Sequence, residues 1–150
     1  MSTAILWPTF ALVLLIFVVL AMLACQRFRH VRAHPPRAEN IATSTAAKAY
    51  FEPVEPPANN LANLFEMPVL YFALVPLLLL FRHAGHFEVL LAWIYVALRL
   101  AHSLIHVGRG KVTARFMIYL ASCVVLGVMW AGFAIQMASA SIALANQGAL

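Results

Sequence analysis

Residues 4–24 read AILWPTFALVLLIFVVLAMLA, an unbroken apolar run without a charge, and this stretch decides the fold class. A helix that crosses the roughly 30 Å hydrocarbon core of a bilayer needs ~20 consecutive, mostly apolar residues. The run is long for the apolar region of a secretory signal, no basic segment precedes it, and no A-x-A pattern closes it. It reads as a retained span, with Trp7 suited to anchoring one end at the membrane interface. Arg27, Arg29 and Arg32 follow directly and hold the other end in the cytoplasm.

Three further runs of the same kind follow, over residues 60–81, 88–107 and 116–137. Residues Arg82 to Phe87 form a tight turn between the second and third, and the small-residue stretch 138–145 continues the fourth as helix. The composition agrees: 64% of residues are hydrophobic and 10% charged, against about 45–50% and about 25% in soluble domains. Mean hydropathy is +0.89. The expectation is one all-α domain over 1–150, an integral membrane four-helix bundle.

Charge placement gives the orientation. Of the ten Lys and Arg residues, Arg27, Arg29, Arg32, Arg37 and Lys48 lie in the loop 26–59, and Arg109, Lys111 and Arg115 in the loop before the fourth span. Basic loops stay inside, so both termini are expected outside and both basic loops in the cytoplasm. The net charge of +5 is explained by this bias, and no nucleic-acid-reading motif accompanies it. Pro35, Pro36, Pro53, Pro56 and Pro57 forbid a continuous helix through the loop 26–59; helix one is expected to project into it by a turn or two. Two cysteines, Cys25 and Cys123, make no disulfide framework. They read as small hydrophobes. With no aspartate in the chain and no Cys/His spacing of a zinc site, no metal is expected.

Ionisable groups inside a span are expensive and mark functional sites. Asn59, Asn63 and Glu66 fall within about 60° of one another at ~100° per residue, as do Tyr95, Arg99, His102 and His106. Each helix thus collects its polar residues on one face, and the expectation is that both faces point into the protein. Glu66 and Arg99 come to comparable depth if the two spans are antiparallel neighbours. An intramembrane Glu66–Arg99 ion pair is therefore expected, with Glu66→Gln or Arg99→Leu alone impairing folding. Asn63 and Ser103 equally suit interhelical hydrogen bonding. The cluster opens toward Arg109, Lys111 and Arg115, so surplus positive charge favours a carboxylate-bearing ligand.

The pattern Asn63-x-x-Glu66 followed by Pro68, and Arg99-x-x-His102-x-x-x-His106 followed by Arg115, resembles the MAPEG family (membrane-associated proteins in eicosanoid and glutathione metabolism). The run Trp93 to Ser103 resembles its bacterial branch. The resemblance implies a homotrimer of four-helix bundles binding glutathione between subunits near the cytoplasmic face. It implies Arg115 as the residue that stabilises the glutathione thiolate. Asn63, Glu66, Arg99, His102 and His106 would line the glutathione site, with Arg27 or Arg29 contributing from the end of helix one. The implied activity is a glutathione S-transferase or peroxidase acting on lipophilic substrates drawn from the membrane lipid.

Several positions depart from the glutathione-using members. Asn59 stands where those members usually carry an arginine, Leu61 replaces a His or Gln, His106 a tyrosine, and Phe116 a serine beside the catalytic arginine of one branch. Each departure removes a glutathione contact or an activating group. They keep a second reading open, a non-catalytic membrane scaffold or lipid-binding protein. A small transporter is disfavoured, because the ionisable residues gather near one membrane face instead of forming a relay through it.

Overall fold

The computed structural model describes residues 3–108 and 111–147, so Arg109 lies outside the described residues. Among those residues every regular element is helical. The order is α1 (Leu6–Ala33), α2 (Ala38–Ile41), α3 (Ser44–Phe51), α4 (Pro56–Glu66), α5 (Pro68–Leu80), α6 (His86–Val107) and α7 (Val112–Gln147). Four helical stretches are long and apolar enough to cross a membrane: Thr3–Ala33, Pro56–Leu80, His86–Val107 and Val112–Ala143.

α1 buries Pro8, Leu12, Leu15, Val19 and Leu23, the three- and four-residue spacing of a single helical stripe. Pro8 sits in the first turn, where the missing N–H costs nothing. The helix runs 28 residues, or about 42 Å at 1.5 Å per residue, well past the sequence-predicted end of the span.

The second span begins four residues before the expected boundary. Pro56 and Pro57 occupy the first helical positions, where proline is favoured because its fixed φ suits a helix start. Pro68 cannot donate to the carbonyl of Leu64, and this one missing hydrogen bond separates α4 from α5, while Met67 keeps helical angles (φ -68, ψ -36) and the span runs on. The buried stripe continues through this point as Pro57, Asn60, Leu64, Pro68, Tyr71, Leu74, Val75 and Leu78.

α5 ends in a Schellman arrangement. The His83 N–H donates to the Leu78 carbonyl at 2.8 Å and the Arg82 N–H to the Leu79 carbonyl at 3.2 Å. This places Arg82 at φ 61, a left-handed conformation that glycine usually supplies. Glu88 caps α6 by accepting the Gly85 N–H at 3.1 Å. α6 packs most extensively on α7, while α1 lies against both α4 and α6. Tyr71 and Tyr95 stack inside the bundle with ring centroids 5.1 Å apart, and the Tyr71 hydroxyl lies 3.1 Å from Thr9 Oγ1.

The loop 26–59 holds more structure than its prolines suggest. Thr43 caps α3 by accepting the Ala46 N–H at 3.1 Å, and Glu52–Val54 forms a 3-10 turn. The segment folds back on the projecting end of α1. His30 meets Tyr50 edge-to-face at 4.8 Å, the Tyr50 hydroxyl donates to the His34 carbonyl, and Arg27 lies 4.7 Å above the Phe51 ring. Arg27 also pairs with Glu55 at 3.7 Å. Cys25 is exposed and Cys123 half-buried, both as free thiols.

Candidate functional site

The polar face of α6 points inward. Arg99 is 0% exposed, His102 2% and Ser103 3%. Arg99 Nη2 donates to the Asn63 carbonyl at 2.6 Å, and its guanidinium carbon lies 5.5 Å from the centre of the Tyr119 ring. Arg99 Nε and Nη1 are buried without a partner. Asn63 therefore reaches Arg99 with its backbone, from the last turn of α4 before Pro68.

The polar face of α4 does not point inward, which corrects the expectation from periodicity. Glu66 and Asn59 are exposed and Asn63 is half-buried. The buried stripe of this helix runs through Pro57, Asn60 and Leu64 instead, roughly 120–140° round the helix at ~100° per residue. The expected Glu66–Arg99 ion pair is accordingly absent: the ion pairs among the described residues are Arg27–Glu55 and Arg37–Glu39.

Asn60 was missed by the stripe argument. It is 0% exposed, and both side-chain polar atoms lack a partner. Its signal lay in its place three residues after Pro57 and four before Leu64. An asparagine does not register in an apolar pattern.

α6 and α7 meet at His102 and Arg115. His102 Nδ1 lies 3.2 Å from the Arg115 carbonyl, so the ring fixes the backbone of the first turn of α7 when that nitrogen carries the proton. His102 Nε2 has no partner. His106 follows one turn later, its ring 5.7 Å from that of His102. It is 7% exposed, and its Nδ1 makes no hydrogen bond.

These residues border a cleft of about 470 Å³ at the basic end of the bundle, lined by Glu52, Glu55, Pro56, Asn59, His106, Val112 and Arg115. That volume lies within the range of small-molecule sites. The cleft is less positive than the sequence suggested, because the 3-10 turn carries Glu52 and Glu55 into its wall. Of the sequence-predicted residues, Arg115 and His106 line it. His102 stands behind them, and Arg99, Asn63 and Glu66 lie deeper in the span. Arg29 is exposed on the projection of α1, and Arg27 is engaged by Glu55 and Phe51.

The MAPEG family model matches residues 5–135, a range that reaches into all four spans and takes in the polar cluster. The chain belongs to the MAPEG family. As a MAPEG protein it is an integral membrane protein with four spanning helices, which agrees with the helices found here. No curated protein and no solved structure matches the chain significantly.

Proposed function

We propose that this MAPEG protein is a glutathione S-transferase or peroxidase for lipophilic substrates, working as a homotrimer with its basic end in the cytoplasm of a bacterial inner membrane. The observation that carries the reading is the placement of Arg115. Arg115 lines the polar cleft together with His106, which is buried and leaves its Nδ1 without a partner, and the Arg115 backbone carbonyl lies 3.2 Å from His102 Nδ1. Glutathione supplies a thiol that, once ionised, adds to an electrophile or reduces a hydroperoxide. The residues fit such a ligand. Arg99 Nε and Nη1, His102 Nε2 and His106 Nδ1 are buried polar atoms awaiting partners, and buried polar groups are rarely left unpaired.

Arg115 favours the thiolate by opposing its charge, and a guanidinium keeps its proton even where water is scarce. Arg99 anchors a carboxylate from deeper in the span. Asn63 holds the Arg99 guanidinium through its backbone carbonyl, and the exposed Arg29 supplies charge from the α1 projection. Glu66 supports the homotrimer. It is exposed beside Phe65, Val69 and Leu70 on the outer face of the second span. A carboxylate there is costly against acyl chains, and a second copy of the chain removes that cost.

The test is direct. Glutathione added to detergent-purified protein should produce the ultraviolet absorbance of a thiolate. Arg115→Ala should abolish it, and Arg115→Lys should retain part. If the parent protein gives neither thiolate signal nor calorimetric heat at millimolar glutathione, the reading is wrong.

The scaffold or lipid-binding reading has one observation in its favour. Asn59, a neutral residue, lines the cleft where glutathione-using members usually carry an arginine. Thermal stabilisation by an apolar lipid and none by glutathione would select it.

A further inference from the structure

The cleft has walls of opposite sign. Arg115 and His106 form one wall, from α7 and α6; Glu52 and Glu55 form the other, from the 3-10 turn and the residue that leads into α4. His106 lines the cleft, is 7% exposed, and keeps its Nδ1 buried without a hydrogen-bond partner.

The acidic wall is not fully neutralised within the chain. Glu55 Oε2 is buried and makes no hydrogen bond. Its nearest cation, Arg27 Nη2, stands 3.7 Å away, beyond hydrogen-bonding reach. Arg27 also lies over the Phe51 ring, 4.7 Å from its centre. Glu52 is exposed and borders both this cleft and an adjoining hollow that it shares with Glu55, Lys48 and Thr45. No ion pair joins Glu52 to Lys48 among the described residues. A ligand bearing only negative charge would fill the cleft at the expense of a carboxylate facing Glu52. A ligand with an ammonium at one end and an anion at the other satisfies both walls.

We propose that the cleft selects an amphoteric ligand, with its free ammonium on Glu52 and Glu55 and its anionic group on Arg115 and His106. The proposal rests on the glutathione reading and narrows it. The α-ammonium of the γ-glutamyl residue becomes a required recognition element, and the loop preceding α4 becomes the specificity determinant.

Calorimetry on the full chain in detergent tests it with two probes, glutathione and its desamino analogue, in which the ammonium is replaced by hydrogen. The parent should bind glutathione about tenfold or more tightly than the analogue, the value of one charge-assisted hydrogen bond. Glu52→Gln should lower glutathione affinity toward that of the analogue and leave analogue binding the same or slightly tighter. Glu52 is exposed, so this substitution leaves the fold intact; Glu55→Gln serves as a second probe of the same wall. Equal binding of both probes by the parent overturns the proposal and leaves the glutathione reading standing. An equal loss for both probes in Glu52→Gln overturns it too. Binding of neither probe overturns both.

Discussion

Replacing Arg99 with methionine separates a structural charge from a ligand anchor. The guanidinium is 0% exposed and makes one side-chain hydrogen bond, to the Asn63 carbonyl. Nε and Nη1 remain unpaired. Each buried, unsatisfied donor group costs about 1–3 kcal/mol, hence about 2–6 kcal/mol for the two. Against this stand a charge-assisted hydrogen bond of about 1.5–3 kcal/mol and the contact with Tyr119, about 0.5–2 kcal/mol. The opposing contributions nearly cancel. Methionine is of similar length and adapts to irregular gaps, so Arg99→Met should hold its stability without ligand within about 2 kcal/mol of the parent. A broken buried ion pair would instead cost about 3–5 kcal/mol, the outcome expected from the sequence alone. Ligand binding gives the second readout. Glutathione at a hundred times its Kd should stabilise the parent by about 2.7 kcal/mol, and Arg99→Met should lose most of that increment. Unfolding in mixed micelles, followed by tryptophan fluorescence with and without glutathione, measures both. A loss of about 4 kcal/mol or more without ligand, or an undiminished glutathione increment, would refute the reasoning.

Tyr71→Phe removes the hydroxyl 3.1 Å from Thr9 and keeps the ring stack on Tyr95. It should cost about 0.6 kcal/mol, the usual value for a hydrogen bond inside a membrane protein, and Thr9→Val should add little to it in a double-mutant cycle. Arg82→Gly relieves the left-handed backbone at φ 61 and should raise stability by roughly 0.5 kcal/mol, after the greater flexibility of glycine in the unfolded chain is subtracted. A fall in melting temperature would mean that the Arg82 side chain contributes something its backbone conformation does not reveal.

The spans were legible because a bilayer demands length and apolarity, and both are plain in runs such as 4–24. Their edges were less so. Pro56 and Pro57 read as loop residues yet start α4, and Val112–Arg115 reads as a basic loop yet forms the first turn of α7. Periodicity grouped Tyr95, Arg99, His102 and His106, and those side chains are buried together. The same reasoning grouped Asn59, Asn63 and Glu66 and expected that stripe inside as well, where it does not lie. Packing decides that, and Asn60 with Leu64 won the interior. Glu52 and Glu55 were invisible as site residues, since their placement depends on how a proline-punctuated segment folds against α1. The missing hydrogen bond at Pro68 was equally hidden, because a proline within an apolar run does not reveal whether the helix around it ends or runs on.

The length of α1 has a mechanical consequence. At about 42 Å, the helix overshoots a hydrocarbon core of roughly 30 Å by about two turns, with His30 on the overshoot and His34 capping it. The spur is a rigid post to which residues 43–55 are fastened through Tyr50, Phe51 and Glu55. Bilayers that differ by a few ångströms in thickness would slide their headgroup plane along this post without altering the spacing between the Glu52–Glu55 wall and the bundle, so the geometry of the cleft is set by protein and not by lipid.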